Sequence, residues 1–143
     1  MTRLKPVVAA ALLALAFHGI ATFASVKQNW PAQFGGVGTD AGDEWISRGT
    51  ALGAPLLPLV VLAVAAALAS LHGRLGAVGV VMICLLAVLF MVGGLGEAVA
   101  PATPDVPKSV LVISGVLSVL MGLALLALGA KELSKRSRAP AVT

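Results

Sequence analysis

The sequence predicts an all-α membrane protein, with four transmembrane helices in one antiparallel up-down bundle and both termini in the cytoplasm. Three observations carry this expectation. Four apolar runs, at about 6–26, 51–71, 75–96 and 109–130, each hold about 20 residues or slightly more. A helix of that length crosses a hydrocarbon layer roughly 30 Å thick. Hydrophobic residues make up 59% of the 143 positions and charged residues 11%, where a soluble domain carries about 25% charged residues. The runs leave little chain over, so one transmembrane domain spans 1–143, with 131–143 as a basic tail.

The third observation is the placement of charge. Arg3, Lys5, Arg74, Lys131, Lys135, Arg136 and Arg138 flank one side of the runs, and Lys27, Arg48 and Lys108 flank the other. Lys and Arg gather on the cytoplasmic side of membrane proteins, so the side with seven faces inward. Asp40, Asp43, Glu44, Glu97 and Asp105 fall outside and only Glu132 inside. The net charge of +4 is accounted for by these flanks. Nucleic acid is therefore not an expected partner, whereas the lipid bilayer is. A rival reading takes 1–24 as a cleaved leader ending at Thr22-Phe23-Ala24. The apolar stretch runs on past Phe17, longer than a usual leader core, and Thr22 fits the cleavage pattern poorly. The expected location is a cell membrane, the bacterial cytoplasmic membrane, with N-in and C-in orientation.

The first run opens at Pro6, a tolerated first helical position, and carries His18 and Gly19 in its outer half. The connection 27–50 holds Trp30, Phe34 and Trp45 among Gly35, Gly36, Gly38 and Gly42. Trp anchors at the headgroup level, so Trp30 and Trp45 are expected to fold this loop back onto the outer surface. Asp40, Asp43 and Glu44 lack the alternating pattern of a calcium loop and read as a solvated acidic stretch. Pro55 and Pro58 stand in the first turns of the second run. They either kink its outer end, where freed carbonyls would line a small polar cavity, or start the helix later.

The turn Leu71-His72-Gly73-Arg74-Leu75 is short, so the second and third runs form a helical hairpin. The third run is expected to end at Gly93-Gly94-Leu95-Gly96, followed by Glu97 and a linker stiffened by Pro101, Pro104 and Pro107. In the fourth run Ser114, Ser118 and Gly122 recur every four residues, and Gly115, Gly122 and Gly129 every seven. Small residues on one stripe let another helix approach closely. That helix belongs to the same chain or to a second copy, so a homo-oligomer or larger membrane complex stays open.

Few residues can carry chemistry. The single cysteine, Cys84, excludes an intrachain disulfide and a CxxC redox pair. His18 is the ionisable residue well inside a run, about 18 Å along the helix from Pro6 at 1.5 Å per residue. Such residues are functional candidates, although neutral His is the least costly to bury. His72 lies at the opposite boundary, so one chain cannot supply a bis-histidine haem pair. No other His, Cys or carboxylate shares the depth of His18, and a metal site needs three or four ligands. No metal or cofactor is therefore expected. Ser118 is the polar residue at matching depth and the expected hydrogen-bond partner of His18. Glu97 and Arg48 stand together at the outer boundary, where an ion pair can form. No catalytic residues are expected.

The stretch LALAFHGIATF at Leu13–Phe23, with Gly73-Arg74-Leu75-Gly76-Ala77, resembles the DoxX-like family of small four-span bacterial membrane proteins. That resemblance implies a subunit of a membrane redox complex. The chain departs from the family where a Lys should follow His-Gly, and it lacks the acidic residue expected inside the second run. The residues themselves favour a non-catalytic accessory or interaction bundle. The alternatives are a small proton-coupled transporter using His18, and the redox subunit that the resemblance implies.

Overall fold

The computed structural model describes residues 4–33, 40–101 and 106–138. Arg3, Phe34, Gly35, Gly36, Gly38, Pro104 and Asp105 lie outside the described residues. The described chain is helical: α1 at Pro6–Lys27, the short α2 at Ala41–Glu44, α3 at Leu56–Ser70, α4 at Gly73–Val99 and α5 at Lys108–Arg138. Helices α1, α4 and α5 are each long and apolar enough to cross a membrane, and α3 is a shorter apolar helix. Helix α1 packs against α3 and α5, and α4 packs against α3 and α5. The shared core comprises small and branched side chains, among them Ala11, Ala14, Leu62, Ala65, Ile83, Ala87 and Leu125.

The run 51–71 is helical only in its later part. A helix starting at residue 51 would place Pro55 where an i→i−4 donor is required, and its ring would meet the carbonyl one turn back. The residue before a proline is also steered away from helical geometry. Pro55 accordingly takes ψ 155° and stands just before the helix. The backbone N–H of Leu56 donates to the Trp45 carbonyl at 3.1 Å, so a loop residue closes the new N-terminus. At 15 residues, α3 is about 22 Å long. Residues 51–55 continue past its end as irregular chain, with Ala51 and Gly53 buried.

The third run does the opposite, since its glycines do not end the helix. Gly94 and Gly96 are buried inside α4, which continues to Val99. They remain helical because they form a close crossing with α5. A Cβ on Gly94 would sit 2.6 Å from Ser118 Cβ and 3.0 Å from the Gly115 carbonyl oxygen. Lower down, Gly122 faces Ala87 and Met91, and Gly129 faces Cys84. The stripe on α5 therefore meets a helix of the same chain. Helix α5 also runs beyond residue 130, where Glu132 accepts from Arg136 at 3.0 Å one turn later.

The two ends of the fold are fastened differently. At one end Lys5 Nζ donates to the carbonyls of Ala69, Ser70 and Leu71 at 2.8–3.0 Å. Arg136 Nη2 also donates to Ala69 O, at 2.9 Å. These cations occupy the terminal carbonyls of α3, which have no partner inside the helix. Gly73 then takes φ +67°, the left-handed backbone that the tight turn requires. Burial, with the nearby Arg136 charge, lowers the Lys5 pKa from its ordinary value, and Glu132 opposes this. At the other end the loops cover the helices. Ala51 N–H donates to Trp30 O at 3.1 Å, and Pro31 bridges to Thr50. Val106, Ala51 and Leu111 form a second small core there, against Trp30 and Leu52.

Candidate functional site

His18 owes its position to a stripe on α1. Val7, Ala11, Ala14, His18, Thr22 and Ser25 recur at steps of three and four and are all buried. The ring is only 4% exposed. Phe17 meets it edge-on at 5.2 Å between ring centroids, and Phe90 of α4 lies tilted at 4.6 Å. The ring points inward, as the cost of an unsatisfied N–H in an apolar medium requires. Its Nδ1 has no hydrogen-bond partner among the described residues.

His18 and Ser118 do share a site, at the depth matched from the sequence, but no hydrogen bond joins them. Both line a cavity of about 210 Å³. Pro55 and Pro58 form one wall with residues 50–54, and Leu89, Phe90, Val92, Gly93 and Gly94 form another. Ser114 and Gly115 contribute from α5, and Ser114 Oγ donates to Leu52 O at 3.2 Å, holding the irregular segment in place. Arg48 and Glu97 stand on the lining as well. Leu89 and Val92 are half exposed, so this wall reaches the outer flank of α4.

The expected Arg48–Glu97 pair is replaced by separate partners. Arg48 lies 4.0 Å from Glu44, one turn away at i,i+4. Both carboxylate oxygens of Glu97 accept from the Gln33 backbone N–H, each at 3.1 Å. The acidic stretch is likewise structural in part. Asp40 caps α2 by accepting from Gly42 N and Asp43 N at 2.7 and 3.1 Å, and Glu44 is buried. Trp30 and Trp45 are half-buried and work through their backbone carbonyls, which receive Ala51 N–H and Leu56 N–H.

Sequence reasoning passed over Phe90, Gly93 and the segment 50–54, which complete the cavity. It also passed over Thr22 and Ser25, whose hydroxyls are buried without a partner among the described residues. Their spacing of four and seven from His18 is the signal that could have found them. Compared with known protein families, characterised proteins and solved structures, the chain matches none. The likeness to DoxX-like proteins rests on residues of α1 and of the α3–α4 connection alone.

Proposed function

We propose that this chain is a four-span integral membrane protein with both termini cytoplasmic, and that it acts as a non-catalytic accessory or interaction bundle. Support for the membrane setting comes from the outer faces of the helices. Leu13, Ile20, Phe23, Leu57, Leu85 and Val99 are each more than 65% exposed. Such an apolar surface suits acyl chains and would aggregate in water. In this reading α3 and the segment 51–55 cross the bilayer together, and the buried irregular backbone faces the cavity wall rather than lipid. The seven-to-three division of basic residues supports the orientation.

One observation favours holding over transport. The cavity reaches His18 and goes no further. Below it Ala14, Leu62, Ala66, Ile83 and Leu125 are all buried in a continuous apolar core. Protons and polar solutes need a hydrated or hydrogen-bonded path, which such a core denies. The proton-coupled carrier draws support only from the buried His18 facing the cavity.

Two measurements test this reading. Reporter fusions after residues 40, 73, 104 and 143 should read outside, inside, outside and inside. Liposomes carrying the protein and an internal pH dye should show no proton flux above protein-free liposomes. An external C-terminal reporter overturns the topology. A flux that His18→Gln abolishes replaces the bundle reading with the carrier.

A further inference from the structure

We propose that the cavity binds a small, neutral, single-ring phenol drawn from the bilayer, with the ligand hydroxyl on His18 Nδ1. The inference rests on the membrane reading above and specifies what the bundle holds.

Size comes first. An apolar cavity of about 150 Å³ accommodates benzene, and drug-sized ligands need about 300 Å³ or more. A cavity of about 210 Å³ lies between these, matching one ring with a short substituent. The walls suit a flat apolar body. The Phe90 ring, the faces of Pro55 and Pro58 and the bare backbone at Gly93 surround the space. A Cβ on Gly93 would have nothing within 4 Å, so the opening beside it is real volume.

The polar requirement comes from His18. Its ring is 4% exposed and its Nδ1 lies buried without a partner among the described residues. A buried polar atom left unpaired costs about 1–3 kcal/mol. In neutral imidazole one nitrogen donates and the other accepts. A hydroxyl satisfies Nδ1 in either tautomer, whereas a carbonyl serves only one. A carboxylate would carry an uncompensated charge to a depth where charge is expensive. A phenol is neutral below its pKa of about 10, dissolves in bilayers and joins the required hydroxyl to a flat ring. The route of entry is lateral, because Leu89 and Val92 line the cavity and are also exposed on the flank of α4.

The test uses the full chain in lipid nanodiscs with 15N-labelled imidazoles and 4-ethylphenol as the probe. There are two histidines, and the exposed His72 at the start of α4 serves as the internal reference. The 15N signals of His18 should shift saturably while those of His72 stay fixed. Ethylbenzene, which has the same body without the hydroxyl, should bind at least about tenfold more weakly, since it leaves the buried nitrogen unpaired. Gly93→Leu directs its side chain into open space, so it should fold as the parent does and lose the saturable shift. His18→Leu should erase the preference for 4-ethylphenol over ethylbenzene, read by competition with a fluorinated ethylbenzene. Linear partitioning with no saturation, an equal shift in Gly93→Leu, or equal affinity for the two probes in the parent protein would each overturn the proposal. None of these outcomes depends on the flux or topology measurements, so the two readings fail separately.

Discussion

The crossing of α4 over α5 makes a graded prediction about three glycines. Replacing glycine by alanine inside a helix is intrinsically favourable by about 0.8–1.0 kcal/mol in water. What decides the sign is the atom that the new methyl meets. At Gly115 it runs into the Gly94 carbonyl oxygen and lies 2.6 Å from Ala98 Cβ. Neither can rotate away, because one is backbone and the other is already a bare methyl. Ordinary contact requires about 3.5 Å or more, so the helices must part by roughly 1 Å along the crossing. Overpacking of this kind costs about 1–3 kcal/mol. At Gly122 the methyl meets the flexible Met91 side chain and the Ala87 carbonyl at 2.9 Å, so only part of the clash can relax. At Gly129 the obstacles are the Cys84 thiol and Val80 Cγ1, both side-chain atoms. The expected order of destabilisation is Gly115→Ala, then Gly122→Ala, then Gly129→Ala. Gly93→Ala is the control, because its methyl meets nothing within 4 Å, and it should match or exceed the parent. Unfolding in mixed detergent micelles, followed by loss of helical circular dichroism, measures each variant. If Gly115→Ala is as stable as Gly93→Ala, the close crossing is not what holds α4 to α5.

Three further outcomes are expected. Gly122→Leu should lower thermal stability in detergent well beyond Leu123→Ala, because Leu123 is 49% exposed on the outer face; equal tolerance of both would count against the packing stripe. Lys5→Met and Arg136→Met should each cost about 1 kcal/mol by freeing the last carbonyls of α3. Because the folded Lys5 pKa lies below its ordinary value of 10.5, the folded state binds fewer protons than the unfolded state just beneath pH 10.5. The contribution of this group to stability therefore rises with pH through that window, and Lys5→Met should flatten the slope in alkaline detergent titrations. His18→Gln should fold within about 1 kcal/mol of the parent by the same unfolding assay, since Gln also donates and accepts.

The long apolar runs and the α5 stripe were legible because both are patterns of side chains along one segment. Ser118, Gly122 and Gly129 could be assigned to a buried face by their spacing alone. The depth of His18 was also legible, since counting residues from Pro6 is a direct measure of height in a helix, and Ser118 and Phe90 do surround the same cavity. What could not be read were links made by backbone atoms. Lys5 contacts α3 through carbonyls that every residue possesses, and Glu97 chooses the Gln33 amide over Arg48. No side-chain pattern marks such partners. The glycines of α4 misled for a related reason. Gly93-Gly94-Leu95-Gly96 suits both a helix end and a close crossing, and only the position of Ser118 and Gly115 opposite Gly94 selects the second.

The cavity follows from the two prolines of α3. A helix filling the whole of 51–71 would present continuous side chains to α4 and α5 along its length, and His18 would face a closed wall. Pro55 forbids that helix, so α3 begins at Leu56 and the outer part of its place is taken by irregular chain. Irregular chain fills space less completely than a helix and must satisfy its backbone elsewhere. Ser114 takes the Leu52 carbonyl, Thr50 Oγ accepts from Gly53 N–H at 3.0 Å, and Trp30 takes the Ala51 amide. These bonds hold the segment as a wall beside the space and keep it from collapsing inward. Gly53 presses against Thr22 on the far side, leaving no room for the segment to shift toward α1. The opening beside His18 is thus fixed by covalent restriction at Pro55 and by hydrogen bonds on three sides, and a ligand that enters it meets a site already formed.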